Sequence, residues 1–295
     1  MSASTGKGAD GAAPDGAAAD GGGHPPGAGA QVERLVRYQR PELALPYLGR
    51  PGNAALAALF GLEPADYEGL LARFEERVRD AAAELTADPA FAERVAGLPF
   101  RPGQRVLVLG ESTTADRLSW CEILRHLLPP GVELANLAVS GRTTTEALGR
   151  APWLGAAGAP DAPDAVLCML GANDLRRGGP DGTRLVSEAE TGRNLRELRN
   201  SLPRVPWWWI TPSAVDEERI AAHPPFRRAG ITWRSEDVAS LAGHLASRPE
   251  PAIDVRPATE GRQEEDGLHL TPAGQRAVAV AVVEALAGAA GGTKR

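Results

Sequence analysis

Residues Arg105-Val106-Leu107-Val108-Leu109, followed by Gly110-Glu111-Ser112-Thr113-Thr114, decide how this chain is read. A short aliphatic run that ends at a glycine has the composition of a buried strand. The polar residues after it open a loop that leads into the amphipathic stretch near 118–128. Similar apolar runs recur at 133–137, 165–170, 207–210 and 252–255, with helix-length segments near 144–149, 189–201, 236–246 and 272–287. Strand alternating with helix predicts an α/β fold with a parallel sheet covered on both faces. In such sheets reactive side chains sit in loops at the carboxyl ends of the strands, so chemistry is expected just after each run.

Upstream, Tyr67, Leu70, Leu71, Phe74, Val78, Ala81, Ala82 and Leu85 recur at three- and four-residue spacing and make one helical stripe. Pro64 suits the first turn of that helix, and Glu75 stands four residues before Arg79, the spacing of a pair along one face. Shorter helices are expected at 54–60 and 90–95. The stretch 31–98 therefore reads as a helical extension packed on a sheet domain at 99–290. Residues 1–30 are nearly all Gly, Ala, Asp and Pro, with no large side chain to bury, and are expected to form a disordered tail.

The chain has 295 residues, of which 43% are apolar, enough for a properly buried core. Lys+Arg 32 against Asp+Glu 38 gives a net charge of −6, and lysine occurs only at Lys7 and Lys294. With no basic stripe to meet a phosphate backbone, no nucleic-acid partner is expected. No run approaches the roughly 18 apolar residues of a membrane span. The N-terminus also lacks the basic start and apolar stretch of a secretory signal, so a soluble, cytoplasmic protein is expected. Cys121 and Cys168 lie in apolar segments and are too few for a disulfide framework or a four-ligand zinc site. They read as buried thiols, and neither metal nor organic cofactor is expected.

Ser112 follows the first run directly. In that place a serine is either a helix cap or an exposed nucleophile backed by the amides of the next helix. A nucleophilic serine needs a base, and the histidines are His24, His126, His223, His244 and His269. His24 lies in the tail, His126 in the middle of an amphipathic helix, and His223 and His244 lack a patterned partner. In Asp266-Gly267-Leu268-His269-Leu270-Thr271-Pro272 a carboxylate precedes the imidazole by three residues, on a loop ending where Thr271 can cap a helix that starts at Pro272. Such a loop is either a plain cap or the Asp-His arm of a Ser-His-Asp arrangement, in which Asp266 accepts from one ring nitrogen and leaves the other free. Two more run ends, Gly141 in Val139-Ser140-Gly141-Arg142 and Asn173 in Gly171-Ala172-Asn173-Asp174, offer a backbone N–H and a side-chain amide for an oxyanion. Both are also ordinary turn residues.

Taken together the blocks resemble the SGNH, or GDSL, hydrolase superfamily: Ser112 in GESTT, Gly141 in NLAVSGRTT, Asn173 in MLGANDL and His269 in DGLHLTPAG, in that order. The resemblance covers about 101–287. It implies a flavodoxin-like three-layer α/β/α sandwich around a mostly parallel five-stranded sheet. It also implies Ser112 as nucleophile, His269 as base and Asp266 as its orienting carboxylate. The oxyanion hole would be the N–H groups of Ser112 and Gly141 with the Asn173 side chain. Glu111 stands where the family usually has Asp, and an adjusted loop is expected there. Asp174, beside the oxyanion donor, is expected to tolerate substitution better than Asn173.

Phe226 and Trp233 are candidates for pocket walls or for ordinary packing under a long loop, and Arg142 for an anionic substrate contact or a surface ion pair. The expected function is a serine esterase or thioesterase acting on a small-molecule ester or thioester through an acyl-serine. An acyltransferase would use the same residues with an alcohol or amine in place of water. A catalytically dead binding or scaffold protein is a third class, and the presence of all five residues argues against it.

Overall fold

The computed structural model describes residues 28–45, 49, 51–150 and 162–292. The apolar runs form β1 (Arg105–Gly110), β2 (Glu133–Asn136), β3 (Ala165–Met169), then, after the hairpin β4 (Arg177–Gly178) and β5 (Thr183–Arg184), β6 (Trp207–Ile210) and β7 (Ala252–Ile253). All but the hairpin strands join one parallel sheet in the order β2-β1-β3-β6-β7. Its register sets Val108 opposite Asn136 and Gly110 opposite Met169, so three strand ends come out at one edge. The loops after them are thereby neighbours.

Five helices precede the sheet: α1 (Ala28–Tyr38), α2 (Pro41–Ala44), α3 (Asn53–Leu59), α4 (Pro64–Thr86) and α5 (Pro89–Ala96). The others are α6 (Ser112–Ala115), α7 (Trp120–Leu127), α8 (Thr144–Leu148), α9 (Glu188–Asn200), α10 (Glu217–Ala222), α11 (Pro224–Ala229), α12 (Ser235–Ala246), α13 (Arg256–Thr259) and α14 (Pro272–Gly292). Alternation along the strands sorts the layers. Val106, Val108, Leu167 and Met169 pack with Ile123 and Leu124 of α7 and Val278 and Val282 of α14. Leu107, Leu109, Val166 and Cys168 pack on the opposite face with Leu195 of α9 and Val238 and Leu241 of α12. Trp207 and Trp209 lie together in that second layer, ring centroids 5.0 Å apart, while Trp208 faces Phe100 in the first. The result is the three-layer α/β/α sandwich with a flavodoxin-like strand order.

The helices before the sheet share the first layer. Val36, Tyr67, Phe74 and Val78 belong to the same buried cluster as β1, α7 and α14. Glu75 reaches Arg125 of α7 at 2.6 Å and so ties α4 across to the sheet layer; the expected pair with Arg79 along α4 is not made among the described residues. The tail expected over 1–30 lies outside the described residues up to residue 27, and from Ala28 the chain is helical. The long stretch between β6 and β7 carries α12, where a helix is expected at 236–246, and also α10 and α11, where the residues suggest only loop.

Because Phe74 is only 2% exposed within this common core, Phe74→Ala is expected to lower the unfolding free energy by about 3–5 kcal/mol. Urea melts followed by circular dichroism and by tryptophan fluorescence should shift together. A separate transition carrying the whole loss would mean that the N-terminal helices fold on their own.

Candidate active site

The turn that follows β1 is held from several sides. A Cβ on Gly110 would stand 2.5 Å from the Thr114 side chain, so only glycine lets α6 fold back so closely on its strand. Asn136 at the end of β2 donates to the Thr114 carbonyl at 3.0 Å, and Gln275 of α14 donates to the Thr113 carbonyl at 3.1 Å. The turn carries Ser112 at the carboxyl edge of the sheet. His269 brings Nε2 to 3.1 Å from Ser112 Oγ, and its Nδ1 lies 2.7 Å from Asp266 Oδ2. The other carboxylate oxygen accepts from the backbone N–H groups of Leu268 at 3.0 Å and His269 at 2.9 Å. Burial alone would push the Asp266 carboxyl up, but the imidazole and these N–H groups outweigh it and hold it well below the usual carboxylate range. An ionised carboxylate, an imidazole and a hydroxyl in one row can pass a proton from serine to ring.

The two expected oxyanion donors sit on adjoining loops. Gly141 has φ +79°, a left-handed turn just after β2, and Asn173 Nδ2 donates to the Arg142 carbonyl at 3.2 Å. Asp174 binds these loops together. It is fully buried, accepts from Thr144 N at 2.8 Å and from Thr191 Oγ1 at 2.7 Å, and makes a very short bond with Thr144 Oγ1. Asn194 adds bonds to both Thr144 and Thr145. The tolerance expected of Asp174 is therefore at odds with its surroundings: its removal would orphan buried hydroxyls and unlink α8 from the Asn173 loop.

Glu111 supports the same floor. Its Oε2 accepts from Gly171 N at 3.2 Å, and Oε1, also buried, has no hydrogen-bond partner among the described residues. Burial pushes this carboxyl up to about 8, helped by Asp174 and opposed by the N–H groups of Gly171 and Ala172. It is thus largely neutral at pH 7.

A small pocket opens beside Ser112, Asn173 and Glu111, walled by Val215, Trp233, Val238 and Leu268. Trp233 is fixed there by Nε1 donating to the Ala172 carbonyl at 2.8 Å. Phe226 packs behind it, ring centroids 5.2 Å apart, and does not line the cavity. Arg142 donates to the Leu137 carbonyl at 3.2 Å and likewise stays off the pocket wall. Burial, with Arg150 nearby, pushes its guanidinium down to about 10.

The sequence reading assigned no site role to α1, yet α1 reaches the site. Arg34 Nη2 lies 2.6 Å from Asp266 Oδ2, and the Tyr38 ring rests on the His269 ring with centroids 4.8 Å apart. Arg34, Arg37 and Tyr38 stand at i, i+3 and i+4, a polar face that passes for a solvated one when its partners are unknown. That spacing was the available signal.

Glu111 also makes a testable contribution to stability. Folded, it keeps its proton to about pH 8, while unfolded it releases it near 4.5. Its contribution to folding is complete below the unfolded value and declines as pH rises toward the folded one. In Glu111→Gln, a neutral isostere, the fall in thermal midpoint between about pH 5 and 8 should be shallower than in the wild type. Equal slopes in calorimetry would show that Glu111 is already ionised in the folded protein.

Known proteins resemble this chain in family and fold. The model of the GDSL-like Lipase/Acylhydrolase family matches residues 108–277, from within β1 into α14. The lipase/acylhydrolase from Enterococcus faecalis is 22% identical, over 63% of this chain and 96% of that one, with a TM-score of 0.48. Est24, a carbohydrate acetylesterase from Sinorhizobium meliloti, is 16% identical, over 63% and 99%, with a TM-score of 0.51. An acetyl xylan esterase variant from Geobacillus stearothermophilus is 20% identical, over 63% and 95%, with a TM-score of 0.47. No curated protein matches the chain in sequence. With more than half of its residues under the family model, the chain belongs to the GDSL-like lipase/acylhydrolase family and is an enzyme of the ester-hydrolysing class.

Proposed function

We propose that the protein is a serine hydrolase that cleaves a short-chain carboxylic ester or thioester through an acyl-serine intermediate. The observation that carries this reading is the row in which Ser112 Oγ stands 3.1 Å from His269 Nε2 and Asp266 stands 2.7 Å from Nδ1. Ser112 Oγ attacks the acyl carbon while His269 takes its proton, and Asp266 stabilises the imidazolium. The oxyanion is met by the N–H groups of Ser112 and Gly141 and by the Asn173 amide, whose second hydrogen is free of the bond to Arg142. His269 then gives its proton to the departing alcohol or thiol. A water deprotonated by His269 attacks the acyl-serine, and the acid leaves as Ser112 regains its proton.

The pocket size supports a short acyl group. The cavity beside Ser112 is only about 10 Å³, room for about one water, and Trp233 and Leu268 border it with apolar surface. The carbohydrate acetylesterase that shares the fold acts on a short acyl group. A cytoplasmic place of action belongs to the same proposal, supported by two cysteines that are both free and buried. Among the described residues no helix is long and apolar enough to cross a membrane.

Kinetics of two variants on p-nitrophenyl acetate test the reading. Ser112→Ala should lose about 10⁴-fold or more in kcat and all labelling by a fluorophosphonate. Asn173→Ala should lose about 10²–10³ in kcat with little change in KM, because an oxyanion donor acts mainly in the transition state. Retained labelling of Ser112→Ala would place the nucleophile elsewhere, and an Asn173→Ala defect confined to KM would make the amide a substrate contact.

A further inference from the structure

We propose that Arg34, carried by α1, is a positioning residue of the catalytic row, which sets the charge felt by His269 and so the pH at which the enzyme turns on. This inference rests on the assignment of His269 as base and extends it to a helix outside the family-matched segment.

The geometry is specific. Asp266 Oδ2 is shared between His269 Nδ1 at 2.7 Å and Arg34 Nη2 at 2.6 Å, while the second arm of Arg34 bonds Glu264 at 2.7 Å. Arg37, one turn on, grips Asp116 with two bonds of 2.7 and 2.6 Å and reaches Glu264 at 2.8 Å. Asp116 closes α6, the helix that begins with Ser112. One face of α1 therefore spans the serine turn and the base loop together. Its backbone is pinned as well, since Arg117 donates from its N–H to the Arg37 carbonyl at 3.0 Å and from its side chain to the Val36 carbonyl at 2.9 Å.

A carboxylate shared with a guanidinium presents less negative charge to an imidazolium than one that serves the ring alone. The other groups facing His269 are the neutral Tyr38 phenol on α1, Asp116 paired with Arg37, and Glu264 between the two arginines. Glu265 and Arg219 of α10 border the outer groove. Glu111 and Asp174 lie behind the serine turn, both pushed up by burial. Arg34 and Arg37 together offset Asp116, Glu264 and Asp266, and Arg34 is the one that bonds Asp266 itself. With it in place the ring faces less net negative charge, so the proposal puts the acid limb of activity at a lower pH than the cluster would give without Arg34. The side chain is about half exposed, so replacing it removes charge with little loss of packing.

The test is the pH profile of kcat/KM on p-nitrophenyl acetate, measured with the full chain. Arg34→Gln should move the acid limb up by about half a unit to one unit, and Arg34→Lys should return it most of the way. Glu264→Gln, which removes an anion from the same cluster, should move it down. A purely structural role would not move the limb in opposite directions for these two replacements. An Arg34→Gln limb that coincides with the wild type, or an Arg34→Lys limb displaced as far as Arg34→Gln, overturns the inference. Should Arg34→Gln fail to fold, the direction of the Glu264→Gln shift decides, an upward or absent shift being the contrary result. His269→Ala run in parallel separates the two levels. If it is inactive while Arg34→Gln leaves the limb in place, this inference alone fails; if it stays active with the wild-type limb, the assignment of the base fails first.

Discussion

The Asp266 carboxylate is the constraint on which the site depends. Each of its oxygens is occupied: Oδ1 by the N–H groups of Leu268 and His269, Oδ2 by the His269 ring and Arg34. A carboxylate held this way has one orientation, and it passes that orientation to the imidazole and hence to Ser112. The loop can supply it because Gly267 turns left-handed, φ +72°, directly against α10, where a Cβ would meet the Asp216 carbonyl at 2.5 Å. The Gly267 carbonyl in turn accepts from Asp216 N at 2.8 Å. A side chain there would force the loop away from α10 and carry Asp266 with it.

The other half of the site is built by buried polar bonds between strand-end loops. The register of β1, β2 and β3 makes those loops neighbours, and Asp174 with Thr144 and Thr191 fixes their spacing. Asn136 and Gln275 do the same for the serine turn. The Asp174 and Gln275 bonds are buried, so each left unmade would cost about 1–3 kcal/mol. Rigidity of this kind would keep the proposed oxyanion donors aimed before a substrate arrives.

Much of this was legible in the residues. The strands of the parallel sheet lie within two residues of the runs read from the sequence, because short apolar runs between turns are local signals, whereas the polar hairpin β4–β5 offered no such run and was not foreseen. Ser112, Gly141 and Asn173 could be singled out because they follow apolar runs, and Asp266 with His269 because they stand three residues apart on the loop before α14, all of them local signals. What was not legible depends on contacts far apart in the chain. Arg34 and Asp266 are 232 residues apart in sequence, and an arginine-rich helical face carries no mark of the acidic cluster that it covers. The bonds of Asp174 were not legible for the same reason, since its partners Thr144 and Thr191 lie on two other elements. Trp233 and Phe226 were read alike, yet the structure puts the first on the pocket wall and the second behind it.

The most direct measurement is a crystal structure of the protein after reaction with a small alkyl fluorophosphonate. The adduct should sit on Ser112 Oγ with its alkyl group against Trp233. The phosphonyl oxygen should lie within about 3 Å of the Ser112 and Gly141 N–H groups and of Asn173 Nδ2, and His269 should remain on Asp266. An adduct on another residue, or one on Ser112 whose oxygen points away from all three donors, would contradict the proposed acyl-serine chemistry.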